Sequence, residues 1–272
     1  MSGNTKALRL RIKSTTSTLQ LTKAMGLVAA SKIYRSNIAL KKAREYSTAF
    51  DKALAELTSD SECEKSPFMA IHNTGKTRIV VIAGDRGLAG GYNANVFRLA
   101  STMENAEFIP IGKRACDRYG KPFISSEHFS FGDAAKIANQ LCADFAEGEF
   151  DKLGIIYTKY ISAMTQEATL RWVLPLEKSE GKSSSNAIYE PDALTILNHT
   201  VREYVTGMIS ACIRESFASE VAARRMAMDS AGKNAKQMID DLGLQYNRAR
   251  QGAITQEITE IVAGSGNPDE LV

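Results

Sequence analysis

Ten cations, Lys6, Arg9, Arg11, Lys13, Lys23, Lys32, Arg35, Lys41, Lys42 and Arg44, precede the first carboxylate of the chain, Glu45. So one-sided a charge run implies an acidic partner, either nucleic acid or an acidic protein surface. Tyr34 is the only aromatic residue within the run, and binding of nucleic-acid bases relies on stacking platforms, so protein is the better fit.

Three fragments could bind phosphate. Gly75-Lys76-Thr77 and Gly181-Lys182-Ser183 each contain the Gly-Lys-Ser/Thr end of a phosphate loop. That loop needs a glycine five residues earlier, after a strand, so that backbone N–H groups surround the anion. Ala70 and Leu176 occupy those positions, one fragment precedes its strand, and the other lies in a polar linker. Gly84-Asp85-Arg86-Gly87-Leu88-Ala89-Gly90-Gly91-Tyr92-Asn93 is better placed, between a strand and a helix. Its glycines do not match G-x-G-x-x-G, which favours a tight turn with close helix–sheet packing.

No other group of residues has catalytic or ligating spacing. Cys63, Cys116, Cys142 and Cys212 show no C-x-x-C pair, and His72, His128 and His199 are scattered. Free thiols in a reducing compartment are expected, with no metal and no cofactor. Asp133 and the pair Asp240-Asp241 lack partners at acid/base or metal-ligand spacing. No signal-peptide core follows Met1, and no stretch of about 20 uncharged apolar residues could span a membrane.

The elements that position these residues are read from periodicity. From Pro191 to Ala263 an apolar stripe runs without proline through Leu194, Leu197, Val201, Val205, Met208 and Cys212. It continues through Ala231, Ala235, Met238, Leu242, Tyr246, Ala249 and Ala253, then Ile258 and Ile261 or Val262. Steps of three and four place these on one helical face, with Pro191 suited to the first helical position and Gly264 to Pro268 closing the helix. A helix this long, carrying charges throughout, indicates a coiled coil. Its expected partner is the N-terminal stretch from Thr5 to Leu57, with contacts at Leu8, Ile12, Leu19, Leu21, Ala24 or Met25, and Val28. Between them, from Lys76 to Leu176, apolar runs at 78–83, 108–111, 153–160 and 169–174 alternate with helical stretches at 92–104, 113–119 and 133–147. That alternation implies an α/β domain with a largely parallel sheet. The expected fold is a long antiparallel coiled coil of N- and C-terminal helices (1–58 and 190–264) with an inserted Rossmann-like α/β domain (76–176). Ordinary globular composition, 44% apolar and 24% charged, agrees.

Three blocks of this sequence resemble the γ subunit of F-type ATP synthases, in the right order and over nearly the whole chain. They are Arg11-Ile12-Lys13-Ser14 with Leu21 to Lys32, the glycine turn Asp85 to Asn93, and Ser219 to Ala231 followed by Tyr246 to Glu257. The resemblance implies a non-catalytic rotor subunit: paired helices inside a ring of alternating α and β subunits, and a foot beside the membrane c ring and the ε subunit. It would transmit torque between the c ring and the three β subunits, peripheral to the membrane at the cytoplasmic face of a bacterial cell.

By the same resemblance, Arg250, Gln251 and Thr255 match positions that catch β near the upper end of the stalk. Lys23 and Met25 would face Arg224 and Glu220 lower down, all four as contacts to the α/β ring, and Tyr189, Glu190 and Pro191 match the foot that meets the c ring and ε. Plain readings compete: core packing for Met25, solvated surface for Arg250 and Arg224, an ordinary helix start for Pro191. Ala89 stands where the family usually has cysteine, and the closing Val262-Ala263-Gly264-Ser265-Gly266 departs from the usual end. Cys63 alone cannot form the thiol switch of plant-type members. Two other classes remain: a free-standing enzyme with a ligand at the carboxyl ends of the strands, and a basic helical nucleic-acid-binding protein.

Overall fold

The computed structural model describes residues 2–179 and 189–265 of the 272-residue chain. The elements are α1 (Ser2–Leu57), β1 (Thr77–Ile82), α2 (Tyr92–Ala100), β2 (Ala106–Ile111), α3 (Lys113–Tyr119), α4 (Phe131–Ala146), β3 (Lys152–Tyr160), β4 (Gln166–Leu174) and α5 (Ala193–Ser265). Packing divides the chain into two units, Met1–Val28 with Ala227–Val272, and Ala29–Met226. Among the described residues no helix is long and apolar enough to cross a membrane.

In the first unit α1 and α5 run antiparallel: Gly26 lies opposite Met228, and Thr22 and Leu19 lie opposite Gly232. The less exposed positions of α1 here are led by Thr5, Leu8, Ile12, Thr15, Leu19, Thr22 and Gly26. Those of α5 are led by Met228, Gly232, Ala235, Ile239, Leu242, Tyr246, Ala249 and Ala253. Steps alternating between three and four are the seven-residue repeat of a left-handed coiled coil.

Two parts of the expected stripes are corrected. Leu21 and Val28 are 59% and 58% exposed, and Ala24 is exposed too, because the seam follows Thr22 and Gly26. Small residues let the two backbones approach, and the threonines satisfy their hydroxyls locally: Thr15 Oγ1 donates to Arg11 O, Thr16 Oγ1 to Ile12 O and Thr22 Oγ1 to Leu19 O. On α5, Met238 points outward and Ile239 takes the seam.

In the second unit the sheet has the order β2-β1-β3-β4. β1 pairs in parallel with β2 and β3, and β3 pairs antiparallel with β4. Pro110 sits on the edge strand β2, where a missing N–H is tolerated. One sheet face carries Ile79, Val81 and Ile156 against α2, through Val96 and Ala100. The other carries Val80, Ile82, Leu153 and Ile155 against α4, α1 and α5, including Leu54, Leu57, Leu197, Val201 and Met208. Because both faces are covered, β1 is continuously apolar from Ile79 to Ile82. The stretch from Ser59 to Gly75 contributes two short 3-10 turns that bury Cys63 and Phe68 in this core.

Local chemistry sets the element ends. Ser130 and Asp133 form a reciprocal capping box at the start of α4, which gives Asp133 a structural role. Asp192 caps α5 by accepting from the Thr195 N–H at 2.8 Å, so the helix starts at Ala193 and Pro191 precedes the cap. Gly112 has φ +94, and a Cβ there would lie 1.9 Å from Ala83 O. Only glycine lets the β2–α3 turn pass so close to β1.

Candidate functional site

The glycine turn after β1 is held from three directions. Asp85 accepts four hydrogen bonds: from the Ser125 hydroxyl at 2.6 Å, the Lys113 and Ser126 N–H groups at 3.0 Å, and the Glu127 N–H at 3.2 Å. Burial alone would raise the Asp85 pKa, but these donors outweigh it and hold the carboxyl below its usual value. Asn93 Oδ1 accepts from the Gly84 N–H at 2.9 Å. Leu88, with φ 61, projects from the turn at 62% exposure, beside exposed Arg86.

The third attachment is α5. Glu220 and Arg224 form an ion pair at 2.5 Å, with side chains only 5% and 13% exposed, and Arg224 also donates to Gly87 O at 3.2 Å. Glu220 presses on Gly84, where an added Cβ would fall 2.7 Å from its carboxyl carbon. Burial raises the Glu220 pKa, Arg224 opposes the rise, and Asp85 and Glu127 add to it. Burial likewise drives the Tyr92 phenol far above its ordinary value, with the Glu220 charge reinforcing the shift. Arg224 is therefore not the solvated surface residue that its sequence neighbours suggest. Lys23 is exposed and Met25 half-buried on the α1 segment of the other unit.

Arg250, Gln251 and Thr255 are exposed on α5, beside apolar Ile254, Ile258, Ile261 and Val262, which are 48% to 70% exposed. Tyr189 is half-buried against the main core, while Glu190 and Pro191 are exposed. Most of the N-terminal cations are exposed, but Lys32 pairs with Glu127, and Arg44 pairs with Glu215 at 2.6 Å. Lys32 holds Glu127 below its usual pKa.

The phosphate-like fragment Gly75-Lys76-Thr77 has its anion built in. The Asp151 carboxylate accepts from the Thr74 and Gly75 N–H groups at 2.7 and 2.8 Å, and from the Thr74 hydroxyl. Gly181-Lys182-Ser183 lies outside the described residues, as does the chain from Gly266 onward. Among the described residues, no three or more His, Cys, Asp or Glu residues gather as a metal site. Sequence reasoning gave no role to Ser216, Ser219 or Tyr92, all of which are buried. For the two serines the hint was a gap in the apolar stripe between Cys212 and Ala231.

The arrangement is thus a braced turn and two long helices that carry exposed charged and apolar residues. The ATP synthase family model matches residues 4–266. The ATP synthase gamma chain of Ruminococcus albus is 40% identical, over 97% of this chain and 99% of its own length. The sodium-ion-specific gamma chain of Acetobacterium woodii is 36% identical, over 97% and 99%. Solved central stalks share the fold. The Euglena gracilis mitochondrial ATP synthase matches with TM-score 0.70 at 18% identity, over 97% of this chain and 94% of that one. The Tetrahymena thermophila central stalk matches with TM-score 0.62 at 22% identity, over 78% and 99%. Neither a free-standing enzyme nor a nucleic-acid-binding protein finds support in these relatives. With family model and relatives agreeing from one end of the chain to the other, this protein belongs to the ATP synthase gamma-chain family.

Proposed function

We propose that this chain is the rotating central stalk of an ATP synthase, a non-catalytic subunit that couples ion flow at a membrane c ring to catalysis on three β subunits. One observation carries the reading: gamma chains match it along nearly its whole length. Its chemistry fits the role. Three identical β subunits around one unsymmetrical stalk each meet a different face, and each is held at a different nucleotide affinity by differential contact.

On this reading Arg250, Gln251 and Thr255 contact the ring of α and β subunits together with the exposed apolar end of α5. Lys23 and Met25 contact it from α1. Glu220 and Arg224 act on the ring indirectly, by setting the glycine turn from which Arg86 and Leu88 project. Tyr189, Glu190 and Pro191 belong to the foot that meets the c ring and an ε subunit. The exposed cations of α1 face acidic β surfaces, and the chain works peripherally at the cytoplasmic face of a bacterial membrane.

The test is reconstitution with α and β. Replacing Arg250 and Gln251 by Ala is expected to lower ATP turnover of the complex while leaving nucleotide binding to isolated β unchanged. Unchanged turnover would remove these two residues from the contact. Failure of the chain to assemble with α and β at all would overturn the stalk reading.

A further inference from the structure

The overhang of β3 has an unusual set of partners. Its last pairing with β1 is Ile156 with Val81, but its pairing with β4 continues to Tyr160 with Gln166. From Tyr157 onward one edge therefore faces no strand, and the backbone groups of Thr158 and Tyr160 on that edge need other partners. The long helices supply them. Ser216 Oγ accepts from the Thr158 N–H at 2.9 Å, and Ser219 Oγ donates to Thr158 O at 3.0 Å. Glu215 Oε1 accepts from the Tyr160 N–H at 3.1 Å, and Arg44 donates to Tyr160 O at 2.5 Å as well as to Glu215. Ser216 and Ser219 are 1% and 0% exposed.

The apolar packing of α5 on the sheet opposes separation, but it is non-directional and resists sliding poorly. Hydrogen bonds depend steeply on angle. Ser219 lies three residues after Ser216 and four after Glu215, so the three share one side of α5, and turning the helix about its axis would disturb their bonds to the strand together. From this geometry we infer that the β3 overhang is the torque joint of the stalk, where the sheet is locked to α5 and α1 against rotational slip. The inference rests on the stalk reading above, and makes Glu215, Ser216, Ser219 and Arg44 positioning residues for coupling.

The test uses the complete synthase in vesicles, reading ATP hydrolysis and ATP-driven ion uptake together. Glu215→Ala and Ser216→Ala, which remove the acceptors of the Tyr160 and Thr158 amides, are expected to lose ion uptake at an unchanged rate of hydrolysis. Glu215→Gln keeps an acceptor for Tyr160 and should retain uptake. Amide exchange at Thr158 and Tyr160 should quicken by about fivefold for each bond removed. Wild-type uptake per ATP in the Ala variants, despite faster exchange, would overturn the joint. The wild-type complex gives a second reading without substitution: both amides should stay protected during turnover against an ion gradient, and loss of that protection would overturn the joint even if the variants failed to assemble. Wild-type vesicles that take up no ions would instead refute the stalk reading.

Discussion

The Glu220 carboxylate fills the space that a side chain at Gly84 would need, since a Cβ there would lie 2.7 Å from its carboxyl carbon. Glycine is retained here for contact with α5, and its φ lies outside the left-handed range. Gly84→Ala is expected to destabilise the chain by about 1–3 kcal/mol through overpacking. In a Glu220→Ala background the same change should cost less, because the obstruction is gone. A double-mutant cycle by urea unfolding of the whole chain reads the coupling, expected at about 1–2 kcal/mol. Additive costs would show that the two residues do not press on each other.

Asp85 and Glu220 bend the pH dependence of stability in opposite directions. Asp85 has a depressed native pKa, so its contribution is present above its unfolded value and lost as pH falls through the native one. The native pKa of Glu220 is raised, chiefly by burial, so its contribution is present below the unfolded value and lost as pH rises through the native one. Urea midpoints against pH separate them. Asp85→Asn should flatten the loss below the ordinary carboxylate range and cost about 1–2 kcal/mol at neutral pH. Glu220→Gln should remove a decline above that range. An acid limb unchanged in Asp85→Asn would show that other carboxylates control it.

Each of the four cysteines is a buried free thiol. Burial raises Cys142 and Cys212 to about 12, with Arg202 and Arg171 respectively opposing the shift. Thiolate is the reactive form, so the native chain should resist an aromatic disulfide reagent at pH 8 and release all four thiols only on unfolding. Rapid labelling of Cys142 or Cys212 in the native chain would mean that the α/β core opens locally at little cost.

The alternating strands and helices of residues 77–174 were legible because buried parallel strands are apolar runs and their helices are amphipathic. The α1 seam was only half legible. Leu21 and Val28 carry the apolar signal but face outward, while Thr22 and Gly26 occupy the seam because close backbone approach requires small residues. A hydrophobicity count therefore follows the outer face. Glu220 and Arg224 were legible as family positions. Their attachment to Gly84 and Gly87 was not, since no periodicity links residues so far apart in the chain. Ser216 and Ser219 read as an interruption in an apolar stripe, and their burial depends on a strand overhang that only the register of β1 and β3 reveals.

Gly243 and Gly252 lie within α5, and a Cβ at either would meet nothing among the described residues within 4 Å. Glycine inside a helix costs about 1 kcal/mol relative to alanine, and an internal contact would ordinarily explain it. Gly207 of α5 has such a contact, since a Cβ there would lie 2.4 Å from Tyr46 Cε1. Gly252, next to Gln251 and Ala253 on the segment proposed to meet the α and β ring, has none among the described residues, so its missing side chain suits close approach by a neighbouring subunit. Gly252→Ala should stabilise the free chain by about 0.5–1 kcal/mol, read as a raised urea midpoint, and lower ATP turnover of the assembled complex. Gly232→Ala is the control: its Cβ would meet Thr22 Oγ1 at 3.5 Å, an ordinary contact within this chain, and turnover should be unchanged. Full turnover in the Gly252→Ala complex would mean that the helix surface at this position turns clear of its neighbours.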